Sequence, residues 1–313
     1  MLIFLNRGEF EIINNLFGIK DLPREEIVKI LNFAAEFKRE FVNGKRCFDN
    51  LCGKTVALMF FENSTRTRVS FELAVKHLGG VLINISLGES SISKGESLVD
   101  TFKTIDAMKI DVVVVRHEAS GFPLYISKFL SAKIINAGDG LNEHPTQALV
   151  DAMTLIERFG SNIKGLKIAI IGDILHSRVA RSDIYIFDKL GAKVVVSGPL
   201  TLMPVGIENF GVKVYGDPKI AVKECDVVIA LRIQKERQKK GFFPSESEFS
   251  KFFGVNQELL EGASSRVIFM HPGPANRNLE VTSEVLNSEI SLKDIQVTNG
   301  MFVRMSVLKN LFK

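Results

Sequence analysis

Tryptophan is absent from this 313-residue chain, tyrosine occurs three times and histidine five, while phenylalanine occurs 24 times. Cysteine is equally scarce. Cys47, Cys52 and Cys225 are odd in number and have no zinc-like spacing, so they argue against a disulfide framework. Buried, inert thiols in a reducing compartment are expected instead. Neither sign of charge is in excess: 40 Lys and Arg against 36 Asp and Glu leave +4, too balanced for a nucleic-acid or anionic-membrane surface. No apolar run approaches the roughly 18 residues of a membrane helix. The start, Met1-Leu2-Ile3-Phe4-Leu5, is short for a signal peptide and has no basic lead-in, so a cytoplasmic protein is expected.

Several motifs are missing as well. Gly53-Lys54-Thr55 resembles the end of a P-loop, but Phe48 stands where that motif needs its first glycine. No Gly-x-Gly-x-x-Gly follows the strand-like Lys167–Ile171, no His or Cys pair has metal-ligand spacing, and no nucleophile elbow is present. The expectation is an activity without cofactor or metal. What remains is a folded chain, 46% hydrophobic and 24% charged, long enough for two domains.

The most informative stretch is Ser64-Thr65-Arg66-Thr67-Arg68. It follows the apolar run Val56–Phe61 and precedes a helical pattern with Phe71, Val75 and Leu78 on one face. Ser64 is a good N-cap residue. Two arginines in a first helical turn oppose the helix dipole, and that conflict disappears if an anion binds there. Hydroxyls, free backbone N–H groups and a guanidinium fork suit a phosphate.

The rest of the chain alternates strand and helix patterns. Strands are expected at 55–61, 81–85, 111–115, 133–136, 167–171, 193–197, 212–215, 226–231 and 266–270. Helices are expected at 23–42, 65–78, 96–108, 122–131, 145–160, 179–190 and 300–312, and residues 86–95 and 234–251 read as loops. This rhythm predicts an α/β fold of two domains, each a parallel β-sheet flanked by helices, joined by long helices. Sites in such sheets lie at the carboxyl ends of strands. Ser64, Arg116, the 137–144 turn, Arg178, Arg232 with Gln234, and His271-Pro272-Gly273-Pro274 all fall there. Each has an ordinary reading too. Arg116 could serve an ion pair, His144 could be structural, and the Gln234–Lys240 charge run could be a solvated face.

Taken together, these segments closely resemble the aspartate/ornithine carbamoyltransferase family. The resemblance spans most of the chain: Phe60-Phe61-Glu62-Asn63-Ser64-Thr65-Arg66-Thr67-Arg68, Ser93-Lys94-Gly95-Glu96, Val115-Arg116-His117, Asn136-Ala137-Gly138-Asp139-Gly140 and His144-Pro145-Thr146-Gln147. It continues through Gly172-Asp173-Ile174-Leu175-His176-Ser177-Arg178, Leu231-Arg232-Ile233-Gln234-Lys235-Glu236-Arg237 and His271-Pro272-Gly273-Pro274. The aspartate branch fits better, because the Ser-Met-Gly loop and His-Cys-Leu-Pro segment of ornithine enzymes are absent.

The resemblance implies carbamoyl phosphate and L-aspartate as substrates. Ser64, Thr65, Arg66 and Thr67 would hold the phosphate, with Arg66 also neutralising the leaving group. Arg116 and His144 would polarise the carbamoyl oxygen, while Gln147 and the carbonyls of Pro272 and Gly273 would hold the carbamoyl NH2. Arg178, Arg232 and Gln234 would bind the aspartate carboxylates. Ser90 and Lys94 would enter from the neighbouring subunit of a homotrimer. On this reading residues 1–150 bind carbamoyl phosphate, 151–295 bind aspartate, and 296–313 form a helix packing back on the first domain. Whether a regulatory chain or a dihydroorotase partner joins the assembly is left open. Two residues depart from the family pattern: Asn63, where a small residue or proline is usual, and Asn278, where glycine is frequent. Asparagine is the next most tolerant residue if position 278 needs positive φ.

Overall fold

In Val112-Val113-Val114-Val115 every side chain is buried, which a strand satisfies only when both faces of its sheet are covered. This run forms an inner strand of the first of two parallel sheets. The computed structural model describes residues 13–85, 97–234 and 245–312. The chain divides into one unit of Met1–Met153 with Val297–Lys313 and a second of Thr154–Gln296.

The first unit runs α1 (Arg24–Val42), β1 (Thr55–Phe60), α2 (Thr65–His77), β2 (Val81–Ile85), α3 (Leu98–Ala107), β3 (Val112–His117), α4 (Phe122–Ile126) and β4 (Lys133–Asp139). Helix α5 (Pro145–Phe159) contains the first division point. The second unit holds β5 (Lys167–Ile171), α6 (Arg178–Lys189), β6 (Lys193–Ser197), β7 (Lys213–Tyr215), α7 (Pro218–Ala221) and β8 (Val227–Ala230). It continues with α8 (Glu246–Phe253), α9 (Gln257–Leu260), β9 (Ile268–Met270) and α10 (Ser283–Leu286), and α11 (Lys293–Asn310) contains the second division point.

The first sheet has the order β2-β1-β3-β4 and the second β7-β6-β5-β8-β9, with every pair parallel. On one face of the first sheet Ala57, Met59, Val113 and Val115 pack with Phe102 of α3 and with Phe122 and Ile126 of α4. Each such side chain stabilises the fold by about 1.5–3 kcal/mol when fully buried. Helices α1 and α11 pack together: Ser306 Oγ donates to the Ile30 carbonyl at 2.6 Å, and Lys309 Nζ lies 3.8 Å from the Phe33 ring centre. The β4 edge is covered by the N-terminal segment, where Leu16 N–H donates to Ile134 O at 2.8 Å and Leu16 O accepts from Asn136 N–H at 2.9 Å. At the opposite edge, Val81 and Ile83 of β2 stay exposed.

The amino-terminal ends of the strands carry ion pairs. Lys54 Nζ meets Asp111 Oδ1 at 2.9 Å, Lys167 Nζ meets Glu224 Oε2 at 2.8 Å, and Arg266 Nε meets Asp226 Oδ1 at 2.7 Å.

Some expectations from the sequence change here. The last helix begins at Lys293 rather than 300, because Gly300 and the β-branched residues before it mask a helical turn that the sequence pattern alone reads as loop. The expected loop at 234–251 ends earlier. Ser245 accepts from Glu248 N–H and starts α8, which buries Phe249. Cys47 and Cys52 are exposed, since the segment between α1 and β1 runs over the surface, and only Cys225 is buried. Asn278 has φ +64°, the left-handed conformation in which asparagine replaces glycine at least cost. The loop over 86–95, with Ser90 and Lys94, lies outside the described residues, as do Lys235 and Arg237.

Candidate active site

Strand order decides which side chains meet in the first unit. Strand β3 lies between β1 and β4, so Arg116 at its end stands between the Ser64 turn after β1 and the His144 turn after β4. At the first turn Ser64 holds the N-cap position of α2 (φ −156°, ψ 88°), yet its side chain makes no capping hydrogen bond, and the first turn carries no acidic residue. A cap hydroxyl that does not cap, on an unneutralised helix start, suits an anion. The two arginines separate in role. The Arg68 guanidinium lies over the Phe60 ring at 5.3 Å, whereas Arg66 and Thr65 are exposed and Thr67 is buried.

For Arg116 the ion-pair reading holds. Its Nε donates to Glu62 Oε2 at 3.0 Å and its Nη1 to Ala137 O at 3.4 Å, tying the ends of β1, β3 and β4 together and fixing the guanidinium plane. His117, next along, stacks on Phe122 at 3.7 Å, and its Nδ1 accepts from Ala119 N–H at 2.8 Å. Burial holds this imidazole below the usual histidine range, against the opposing pull of Glu118 and Glu62.

His144 is buried immediately before α5, and its carbonyl accepts from Gln147 N–H at 2.9 Å. Two carboxylates hold this turn, and the sequence reading missed the role of both. Asp139, 1% exposed, accepts from Gly121 N–H (2.6 Å), Asn136 Nδ2 (2.8 Å), Glu143 N–H (3.1 Å) and Asn142 Nδ2 (3.1 Å). Glu143 accepts from the backbone N–H groups of Ile19 (2.6 Å) and Lys20 (3.2 Å), so the N-terminal segment braces the residue before His144. The available signal was a pair of acidic residues flanking a glycine turn. Gln147, one turn into α5, donates from Nε2 to Asp151 Oδ1 at 2.9 Å.

The second unit repeats the logic. Strand β5 lies beside β8, and β8 beside β9, so the Gly172–Arg178 turn, Arg232 with Gln234, and His271–Pro274 emerge from adjacent strand ends. Gly172 is required there: its φ is +130°, and a Cβ would stand 2.9 Å from Leu231 O. Ser177 caps α6 by accepting from Ala180 N–H at 3.1 Å, which places Arg178, only 3% exposed, at the helix start. His176 Nδ1 meets the fully buried Asp173 Oδ1 at 2.8 Å and steadies the same turn. His271 Nδ1 accepts from Gly273 N–H at 2.8 Å, which sets the Pro272-Gly273 backbone. His271 Nε2 lies 3.4 Å from Glu280 Oε1, close enough for attraction although not aligned as a hydrogen bond. Among the described residues no group of three or more His, Cys, Asp and Glu is arranged to hold a metal ion.

Each unit thus ends in a cluster of cationic and amide side chains at adjacent strand ends, a pattern for binding small anions. Two family models match the chain: aspartate/ornithine carbamoyltransferase, carbamoyl-P binding domain, over residues 14–157, and the Asp/Orn binding domain over residues 164–311. The chain belongs to the aspartate/ornithine carbamoyltransferase family. Within it, the chain is 56% identical to the aspartate carbamoyltransferase catalytic subunit of Caldanaerobacter subterraneus subsp. tengcongensis, over 95% of this chain and 97% of that protein. Its fold is similar to ornithine carbamoyltransferase from Pyrococcus furiosus (TM-score 0.84, 33% identity, covering 94% of this chain and 95% of that one). It is equally similar to aspartate transcarbamoylase from Trypanosoma cruzi in complex with aspartate and phosphate (TM-score 0.83, 30% identity, 96% of each chain). The architecture is therefore common to both branches.

Proposed function

We propose that the chain transfers the carbamoyl group of carbamoyl phosphate to the α-amine of L-aspartate, giving N-carbamoyl-L-aspartate and phosphate, an early step of pyrimidine synthesis. The observation that carries this is the pairing of strand ends within each unit: Ser64–Thr67, Arg116 and His144 in one, Arg178, Arg232, Gln234 and Pro272-Gly273 in the other. The high identity to aspartate carbamoyltransferase catalytic subunits supports aspartate as the acceptor.

On this reading Ser64, Thr65, Arg66 and Thr67 hold the phosphate, and Arg66 neutralises the charge that grows as it leaves. Arg116 and His144 donate to the carbamoyl oxygen as it becomes an oxyanion, and preorganised donors of this kind each contribute about two to three powers of ten in rate. Gln147 and the carbonyls of Pro272 and Gly273 accept from the carbamoyl NH2. Arg178, Arg232 and Gln234 hold the aspartate carboxylates, so orientation supplies much of the remaining acceleration. The amine nitrogen forms the new bond to carbon, the carbon–oxygen bond to phosphate breaks, and the departing phosphate is a suitable acceptor for the amine proton.

We place Ser90 and Lys94 in a neighbouring subunit's site within a homotrimer. Val81 and Ile83 on the open β2 edge, and Val69 and Leu73 on α2, are exposed apolar residues that a subunit contact would cover. The segment bearing Ser90 and Lys94 follows directly from β2. The exposed cysteines fit a cytoplasmic location.

The test is phosphate release from carbamoyl phosphate by the purified chain with L-aspartate or L-ornithine. Release with aspartate, matched by N-carbamoyl-aspartate, is expected. Release with ornithine alone would discard the second-unit assignments while keeping the phosphate half.

A further inference from the structure

The carbamoyl NH2 is a hydrogen-bond donor, so Gln147 serves it only if its carbonyl oxygen, and not its own NH2, faces the ligand. Helix α5 fixes that choice. Gln147 Nε2 donates to Asp151 Oδ1 at 2.9 Å, and Asp151 is fully buried. A carboxylate only accepts, so the amide nitrogen must face Asp151 and Oε1 is turned away from it. Burial of Arg304 on α11, 4% exposed, holds its guanidinium below the usual range, and the Asp151 charge opposes that shift.

Arg304 Nη1 donates to Ser70 Oγ of α2 at 3.0 Å and to Gly300 O at 2.8 Å, and the guanidinium lies 5.3 Å from the Phe71 ring centre. Gly300 makes the room, since a Cβ there would stand 2.5 Å from that Nη1. Glycine weakens a helix interior, so the helix has given up local stability to admit the arginine. Burying a guanidinium costs more than burying an apolar side chain of equal volume, so stability alone does not account for Arg304.

We propose that Asp151 is a positioning residue that locks the Gln147 amide with Oε1 toward the carbamoyl NH2. Arg304 for its part bonds α11 to α2, the proposed phosphate-binding helix, through Ser70. The inference rests on the carbamoyl phosphate site proposed above, and its test separates the two.

Acetyl phosphate carries a methyl group in place of the NH2, so it reports the phosphate site without the amide contact. Dissociation constants of carbamoyl phosphate, acetyl phosphate and inorganic phosphate are measured by calorimetry for the wild-type chain, Asp151→Asn and Gly300→Ala. Asparagine at 151 can present its own NH2 and let Gln147 turn, so carbamoyl phosphate should weaken about tenfold while acetyl phosphate stays within about twofold. Gly300→Ala restores a good helix former and displaces only the end of Arg304, so it should move affinity in the same direction without depending on how Asp151→Asn folds. Equal weakening of both ligands, or no change in either, overturns the positioning role. Failure of the wild-type chain to bind any of the three would instead sink the site itself. Crystals of the wild-type chain soaked with carbamoyl phosphate should keep Gln147 Nε2 on Asp151, and an amide turned the other way also overturns the proposal.

Discussion

His117 shows how one side chain can tie the site to pH. Its ring is stacked on Phe122 and its Nδ1 accepts a backbone N–H, so protonation removes an acceptor and adds a charge in a half-buried place. A histidine held below its unfolded value binds fewer protons when folded. Its contribution is therefore complete above about pH 6.5 and is lost as pH falls through the depressed folded value. Asparagine can keep the acceptor without titrating. The melting-temperature advantage of wild type over His117→Asn should thus be larger at pH 7.5 than at pH 5, and a constant difference would refute the assignment. The arginines teach a related lesson. Arg68 and Arg66 are equivalent in a charge count, but Arg68 lies over the Phe60 ring and Arg66 is exposed at the helix start.

At the level of elements, the turn from β4 into α5 depends on the segment that covers the β4 edge. A Cβ on Gly18 would stand 2.2 Å from Glu143 Oε1, a carboxylate already committed to Ile19 and Lys20. Gly18→Ala should therefore cost about 1–3 kcal/mol, the price of disturbing a buried hydrogen-bonded group. It should also lower kcat, because the residue after Glu143 is His144. Calorimetric unfolding and steady-state rates check this, and an unchanged melting temperature would show that the segment is not a brace. Such braces explain what the sequence conceals. The strands were legible because runs such as Val112–Val115 and Lys167–Ile171 have no other stable use, and Ser64, Arg116 and His144 were legible because polar residues at strand ends interrupt those runs. Asp139, Glu143, Asp151 and Arg304 were not, since a buried carboxylate or arginine looks like any other among 36 acidic and 40 basic residues until its partners are known. The start of α11 was hidden for the same reason: Gly300 reads as a helix breaker unless Arg304 is seen against it.

At the scale of the whole molecule, shared sites make a numerical prediction. If each site takes Arg66 from one subunit and Lys94 from the next, any trimer mixing Lys94→Ala and Arg66→Ala chains has one intact site in three. Isolated mixed trimers should recover about one third of wild-type activity, where neither parent trimer has an intact site. No recovery would mean that each chain builds its own site. The ion pairs at the amino-terminal ends of the strands, Lys54–Asp111, Lys167–Glu224 and Arg266–Asp226, have a different consequence. Strands β1, β3 and β5, of five or six residues, separate the first two pairs from the carboxyl ends by roughly 17–20 Å, about two screening lengths at physiological ionic strength. Charges at that pole can be exchanged with almost no change in the potential that the substrates meet, so tolerance of heat and salt can drift there while turnover stays under separate selection.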